Sequence, residues 1–189
     1  MIYTGHKDFS LVRFLLNRVK SYAEVTKFRL SLLVVFSSIM AFLFERVQYS
    51  WLDLVMLFIG GFLVTGASIS INQILEKDTD KLMKRTSHRP LPSGTLSVME
   101  VTIFAGVAGL SGIGLLSYYF NPLSGLLASI SLLTYAFLYT PFKIISPAAV
   151  FIGAVPGALP LLIGSSAAVG NITAGGLILF MIQLLWQMP

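Results

Sequence analysis

The sequence predicts an all-α fold, a polytopic bundle of transmembrane helices that forms a single membrane domain over residues 1–189. Of the 189 residues, 56% are hydrophobic and 11% are charged, whereas a soluble domain carries about 25% charged residues. Many apolar runs approach or exceed the roughly 20 residues that a helix needs to cross a bilayer. These runs lack the polar alternation that is typical of a barrel strand, so we predict helices.

Six apolar segments are predicted to cross the membrane after an amphipathic helix on its surface. Charged residues scattered among apolar ones up to Arg29 indicate the surface helix. The glycines of the third and fifth segments indicate close helix packing. Pro156 and Pro160 are expected to bend or break the fifth helix. The six crossings are expected at about 28–44, 51–75, 98–120, 123–140, 147–169 and 172–188.

The basic residues predict the orientation of the bundle. With six crossings, Arg46 falls on one face and the other 12 of the 13 Lys and Arg residues fall on the opposite face. Basic connections remain in the cytoplasm, so we predict a multi-pass protein of the bacterial plasma (inner) membrane with cytoplasmic charged loops. The net charge of +5 follows from this topology and does not indicate a nucleic-acid partner. The chain has no cysteine, which excludes thiolate catalysis and disulfide bonds.

A charged stretch after the second crossing is the predicted functional site. It reads NQILEKDTDKLMKRTSHRPLP over residues 72–92, and Asn72, Glu76 and Asp80 recur every four residues. On a helix that continues beyond the crossing they would share one face, where the two carboxylates repel each other. A cation would offset this repulsion, and Mg²⁺ often binds through one or two carboxylates together with substrate phosphates. Asp78 lies about 200° around the helix from Glu76, so it is either a ligand or an acceptor for a nearby base.

The bases that follow the carboxylates predict a phosphate ligand. Arginine binds phosphate oxygens through two donors and lysine binds them as a compact charge. A metal site and a phosphate clamp beside an apolar bundle indicate a ligand with a diphosphate and a hydrocarbon tail. A solvated loop beside a membrane is also basic, but it does not require acids along one helix face. The predicted clamp consists of Lys84, Arg85 and Arg89.

The same residues resemble a known family, the UbiA-type intramembrane prenyltransferases. The segment NQILEKDTD is similar to the first aspartate-rich motif of that family, roughly N-D-x-x-D-x-x-x-D, with Gln73 and Glu76 in place of aspartates. Both differences, and the longer stretch NQILEKDTDKLMKRTSHRPLPSG, resemble the haem branch of the family, the protohaem IX farnesyltransferases (haem O synthases). Further segments that resemble this branch are VTKFRLS (25–31), YTPFKIISP (139–147), IGAVPGALPLLIG (152–164) and LLWQMP (184–189).

The resemblance implies transfer of a farnesyl group from farnesyl diphosphate to a vinyl group of haem b, which gives haem O. It implies that Lys143 approaches the diphosphate from the next cytoplasmic loop, and that Tyr139 faces the allylic cation or donates to phosphate. An anchoring role at the membrane interface remains the alternative for Tyr139. The implied partners include the lipid bilayer and a downstream haem A synthase or terminal oxidase assembly. The implied ligands of Mg²⁺ are Asn72, Glu76, Asp78 and Asp80.

The length of the chain and two rival functions complete these expectations. The family fold has about nine crossings and a second acid-rich motif after the sixth, whereas the chain ends at Pro189. We therefore expect six of nine helices and a chain that is inactive alone. A prenyltransferase that acts on a quinone precursor or a chlorophyll-type acceptor remains open. A transporter or scaffold also remains open, because helices interrupted by glycine and proline line transport pathways.

Overall fold

The computed structural model describes residues 5–46 and 48–188, with side chains from residue 13 onwards. The described residues contain helices and no strand, which confirms the all-α fold. Two π-helical segments, π1 (Leu116–Phe120) and π2 (Thr134–Tyr139), follow α4 and α5 without a break. The α-helices are α1 (Gly5–Val25), α2 (Phe28–Glu45), α3 (Trp51–Leu82), α4 (Val98–Leu115), α5 (Pro122–Leu133), α6 (Thr140–Ile145), α7 (Ala149–Val169) and α8 (Ala174–Trp186).

Five stretches of the described chain are long and apolar enough to cross a membrane, and they coincide with the first five predicted crossings. The sixth predicted crossing, 172–188, contains the shorter helix α8. Its 13 residues rise about 20 Å, against a hydrocarbon core of about 30 Å. The protein is therefore an integral multi-pass membrane protein. The five long stretches are Phe28–Glu45, Trp51–Leu82, Val98–Phe120, Pro122–Ile145 and Ala149–Val169.

Helix α3 extends beyond the membrane, as the sequence predicted for the segment after the second crossing. Ser50 caps its first turn, since the Ser50 side chain accepts from Asp53 N and the Asp53 carboxylate accepts from Ser50 N. The helix has 32 residues, which corresponds to about 48 Å. This length exceeds a hydrocarbon core of about 30 Å, and most charged residues of α3 lie in its C-terminal turns, so we expect these turns outside the core. These turns carry the predicted acidic face.

Glycines allow the closest contacts between helices, which confirms part of the packing prediction. A Cβ atom at Gly112 on α4 would lie 2.9 Å from Gly60 O on α3. A Cβ atom at Gly164 on α7 would overlap Ser38 O on α2. Gly106 has no neighbour within 4 Å of such a Cβ. The two former positions therefore require glycine so that the backbones can approach, whereas Gly106 does not.

Helix α7 runs unbroken through both of its prolines, so the expected break is absent. Pro160 has no N–H, which leaves the carbonyl of Pro156 without its partner inside the helix. Ser131 Oγ of α5 donates to Pro156 O at 3.3 Å. A neighbouring helix therefore replaces the bond that the proline removes, as is common in membranes.

A small buried cluster fixes the connection between α3 and α4 against the junction of α1 and α2. Val25, Leu91, Leu96 and Val101 form this cluster, and each is at most 1% exposed. Val25 ends α1, while Leu91 lies in the connection between α3 and α4. The basic connection is therefore held beside the start of α2.

Candidate functional site

The C-terminal part of α3, residues 72–82, is called its tip below. It holds Asn72 and Glu76 in a defined geometry. Asn72 is 2% exposed. Its Nδ2 donates to Glu76 Oε2 at 2.7 Å, and its Oδ1 accepts from Thr140 Oγ1 at 2.8 Å. The amide therefore connects the carboxylate on α3 to the start of α6, and it orients that carboxylate.

Each carboxylate on this face of α3 is paired with a base from a different part of the chain. Glu76 forms an ion pair with Lys143 of α6. Asp80 Oδ2 accepts from Arg89 Nη1 at 2.6 Å. The side chains of Glu76 and Asp80 are 16% and 9% exposed. Because they are shielded from water, the two pairs offset a charge repulsion that would otherwise weaken the end of α3.

The remaining predicted residues lie further out. Asp78 is exposed and falls on another face of α3. Lys84 and Arg85 are exposed beyond the end of the helix. Among the side chains of residues 13–46 and 48–188, no three from His, Asp or Glu form a group that could hold a metal ion. The structure therefore brings together Asn72, Glu76, Asp80, Arg89 and Lys143, and it leaves Asp78, Lys84 and Arg85 outside this group.

Lys27 is a basic residue at this site that the sequence did not single out. It is the N-cap of α2, with φ 45° and ψ 59° in the left-handed region that non-glycine residues rarely adopt. Burial is the main cause that lowers the pKa of Lys27. Arg89 and Arg85 lower it further, whereas Asp80 raises it. Lys27 is therefore a half-buried cation in an uncommon backbone conformation, on the turn that follows the carbonyls held by Gln73 of α3.

Gln73, which replaces an acid of the family motif, contributes to the fold rather than to the charged group. It is 1% exposed. Its Nε2 donates to Val25 O at 2.6 Å and to Glu24 O at 3.4 Å. These bonds hold the end of α1, and therefore the turn that carries Lys27. A carboxylate in this position would have no proton to donate.

An apolar cavity of about 860 Å³ begins beside the charged group. It lies between α2, α3, α5, α7 and α8, and Lys143 and Tyr139 are part of its lining. Along α7 the lining extends from Ala149 to Ile163, a rise of about 21 Å. The volume falls within the roughly 300–1,000 Å³ of small-molecule sites. The arrangement can hold an anionic head at the tip of α3 and an elongated apolar group inside the bundle.

Aromatic rings and one amide add specific features to this cavity. The rings of Tyr135 and Tyr139 stack with centroids 5.5 Å apart. Lys143 Nζ lies 5.4 Å from the centroid of Tyr139. One turn along α7 from the glycine that contacts Tyr139, the Gln187 amide occupies the space that a Cβ atom at Gly157 would need. The ring of Tyr139 therefore faces the ammonium group of Lys143, and Gln187 brings a polar group into a mainly apolar cavity.

A comparison with protein families identifies a family whose profile matches most of the chain. The UbiA prenyltransferase family profile matches residues 32–189. The chain belongs to the UbiA prenyltransferase family. This match covers the acidic face of α3, its basic partners and the cavity.

Curated relatives within the UbiA family extend the match. The chain is 45% identical over 174 residues to "Protoheme IX farnesyltransferase" of Cytophaga hutchinsonii, which covers 92% of this chain and 61% of the relative. It is 40% identical over 172 residues to "Protoheme IX farnesyltransferase, mitochondrial" of Arabidopsis thaliana, which covers 90% and 40%. The chain therefore spans about three-fifths or less of the length of these relatives.

A solved structure supports the fold. Digeranylgeranylglyceryl phosphate synthase superimposes with a TM-score of 0.81 at 23% identity, over 90% of this chain and 60% of that protein. At this identity the likeness concerns the arrangement of the helices. It agrees with the bundle expected of a UbiA family member.

Lys27, Thr140 and Gln187 were not predicted as site residues. Lys27 and Thr140 both lie in segments that resemble the family, VTKFRLS and YTPFKIISP, and this was the available signal. Neither residue follows the fourfold spacing that revealed the acidic face. Their proximity to α3 depends on helix packing across long stretches of sequence.

Proposed function

We propose that the protein transfers a farnesyl group from farnesyl diphosphate to a vinyl group of haem b, which gives haem O. The observation that carries this proposal is the double role of Lys143, which pairs with Glu76 and also lines the apolar cavity. A diphosphate at the tip of α3 would thereby be continuous with an apolar chain inside the bundle. The names of the curated relatives support haem b as the acceptor.

The carboxylate oxygens at the tip of α3 are suitable ligands for the Mg²⁺ ion of a magnesium diphosphate. Glu76 and Asp80 offer two carboxylates one turn apart, and Mg²⁺ takes its other ligands from phosphates and water. We propose that these two side chains hold it, with Asn72 at the same face and the exposed Asp78 as an outer acceptor. When bound, Mg²⁺ neutralises the charge that develops on the departing diphosphate.

The bases of the chain would hold the diphosphate. Lys143 and Arg89 already occupy the carboxylates, and a diphosphate would offer both bases new oxygen acceptors. Lys27 would add positive charge beside them, and the exposed Lys84 and Arg85 would add more from further out. These charges stabilise the anion as the allylic carbon–oxygen bond breaks and its electron pair leaves with the diphosphate.

The cavity would control the carbocation that remains. The stacked rings of Tyr135 and Tyr139 present π-faces that attract a cation. The apolar walls exclude water until the vinyl group of the acceptor has attacked. Water then adds to the new cation on the product and releases a proton. Tyr139 therefore has a role at the reacting centre in this proposal, beyond anchoring at the interface.

The orientation and the biological setting are part of the proposal. The basic connections would face the cytoplasm across a bacterial inner membrane. Residues 1–189 would belong to one membrane domain. We include in the proposal that the product passes to a haem A synthase or to the assembly of a terminal oxidase.

The acceptor is tested by incubating the purified full-length protein, rather than residues 1–189 alone, with farnesyl diphosphate, Mg²⁺ and either haem b or 4-hydroxybenzoate, followed by mass spectrometry. We expect a farnesylated product from haem b. A product from 4-hydroxybenzoate alone would overturn the proposed acceptor and favour a quinone-type enzyme.

A transporter or scaffold is tested by binding. Asn72→Ala and Asp80→Ala should weaken the Mg²⁺-dependent binding of farnesyl diphosphate, measured by titration calorimetry in detergent. Asp53→Asn at the opposite end of α3 is the control, because that residue caps the first turn. Unchanged binding in both variants would contradict a catalytic diphosphate site.

A further inference from the structure

The hydroxyl of Thr140 has one proton to donate but lies near two acceptor oxygens. Thr140 is 3% exposed. Its Oγ1 lies 2.8 Å from Asn72 Oδ1 and 2.9 Å from Tyr135 O. A threonine hydroxyl has one hydrogen to donate and two lone pairs that accept. It can therefore satisfy only one of these oxygens at a time.

The π-helical segment gives Tyr135 O a second donor besides the Thr140 hydroxyl. Tyr135 O also accepts from the backbone N–H of Thr140, across π2. The carbonyl therefore keeps a partner when the hydroxyl turns to Asn72. Buried carbonyls tolerate a second donor because they carry two lone pairs. Single π-helical turns often occur at functional sites, and this one brings the Thr140 hydroxyl to the tip of α3.

The resting arrangement uses one orientation of the Asn72 amide. Its Nδ2 points to Glu76 and its Oδ1 points to Thr140. This orientation matches a Glu76 carboxylate that accepts from donors on both sides, from Asn72 and from Lys143. If Asn72 binds a divalent cation beside Glu76, it must do so through its amide oxygen, because the NH₂ group cannot act as a ligand.

We propose that Thr140 is a positioning residue that supports the Asn72 amide in two orientations related by a half-turn of its side chain. In the second orientation Oδ1 faces the cation side of Glu76, and Nδ2 donates to Thr140 Oγ1. The Thr140 hydroxyl then donates to Tyr135 O. The Thr140 hydroxyl and one N–H of Asn72 Nδ2 therefore have an acceptor in both states. This inference rests on the magnesium diphosphate site of the proposed function.

The first experiment measures how the binding of inorganic pyrophosphate to the detergent-solubilised chain depends on Mg²⁺, by calorimetry. Thr140→Val keeps the shape but removes both the donor and the acceptor. In the second orientation Nδ2 would then be a buried donor without a partner, which is less tolerated than a carbonyl in that condition. We expect the Mg²⁺ midpoint to rise about tenfold in Thr140→Val, a factor equivalent to about 1.4 kcal/mol.

Matched variants separate this role from a general effect on packing. Thr140→Ser keeps the hydroxyl and should bind like the unsubstituted chain. Thr134→Val removes a hydroxyl at the start of the same π-helical segment and should also leave the midpoint unchanged. In an Asn72→Ala background, Thr140→Val should add nothing, because it acts through Asn72. An unchanged midpoint in Thr140→Val, or a loss in Thr140→Ser equal to that in Thr140→Val, would overturn the proposal.

A second readout uses the unsubstituted chain and does not depend on the folding of any variant. The chain has four asparagines, Asn17, Asn72, Asn121 and Asn171, so selective ¹⁵N labelling gives few side-chain amide signals. Asn72→Ala identifies the signal of Asn72. Magnesium pyrophosphate should shift that signal as the amide exchanges acceptors. Binding without a shift overturns the two orientations, whereas no binding at all overturns the proposed function itself.

Discussion

At the scale of single residues, Gln73 and its neighbour Asn72 have different roles: Gln73 stabilises the fold, whereas Asn72 belongs to the candidate site. It follows Asn72 directly, yet its amide donates to carbonyls at the end of α1. The sequence comparison treated it only as a replaced acid. The spacing of α3 could reveal which residues share a face, but not that Glu24 and Val25, nearly 50 positions away, supply the acceptors.

Gln73→Glu should destabilise the protein. The new carboxylate would lose the bond to Val25 O and would face carbonyl oxygens while buried. Leaving a buried group without its partner costs about 1–3 kcal/mol, and more when that group is charged. We expect a clearly lower midpoint of thermal unfolding in detergent. Gln48→Glu, at an exposed position, is the control, and equal midpoints for the two variants would contradict the assignment.

Lys27 predicts a pH dependence of diphosphate binding. Because burial and two arginines lower the pKa of Lys27, its protonated form opposes folding at pH values below the folded-state pKa. That opposition is relieved as the pH rises through the folded-state value toward that of a free lysine. Over the same range the site loses a cation, so pyrophosphate affinity should fall. Lys27→Arg should retain affinity, because arginine stays charged. Pyrophosphate affinity is measured by calorimetry as a function of pH for both proteins. If the affinities of both fall in the same way, Lys27 is not the group responsible.

At the scale of helices, the contacts of the glycines separate positions that look alike in sequence. Both α4 and α7 are rich in glycine, and the sequence predicted close packing for both. The structure places some glycines against a neighbouring backbone and others against open space. The pattern of small residues could predict that helices approach, but only the rotation of each helix decides which glycines make the contact.

Gly164→Ala and Gly106→Ala should change stability in opposite directions. A methyl group at Gly164 would overlap Ser38 O and separate α2 from α7. A methyl group at Gly106 meets nothing within 4 Å, and alanine favours a helix by about 1 kcal/mol over glycine. Thermal unfolding should therefore shift down in Gly164→Ala and slightly up in Gly106→Ala. A stable Gly164→Ala protein would show that the α2–α7 contact is looser than described.

At the scale of the whole molecule, hydropathy predicted the five long helices because length and apolar content define a crossing. It overestimated the sixth segment, since Thr173 caps α8 and starts the helix at Ala174. The acidic face could be predicted from spacing within one helix. The partners Lys143 and Thr140 could not, because they depend on how α6 packs against α3.

The orientation can be tested on the intact membrane, because the chain has no cysteine and therefore gives no background labelling. Ser93 and Asn171 are exposed in connections on opposite sides of the bundle. In bacterial spheroplasts, Asn171→Cys should react with a membrane-impermeant maleimide. Ser93→Cys should react only after lysis. The reverse pattern would invert the proposed topology and place the acidic face of α3 outside the cell.

The π-helical segment π2 affects how this chain should be aligned with its relatives. A π-helix closes its hydrogen bonds over one more residue than an α-helix does. Removing one residue from π2 would join α5 and α6 into a regular helix and rotate everything after it by about 100°. Thr140 and Lys143 would then turn away from Asn72 and Glu76. A homologue with a one-position gap here would need other side chains to reach α3, so such gaps would mark evolutionary changes of the candidate site.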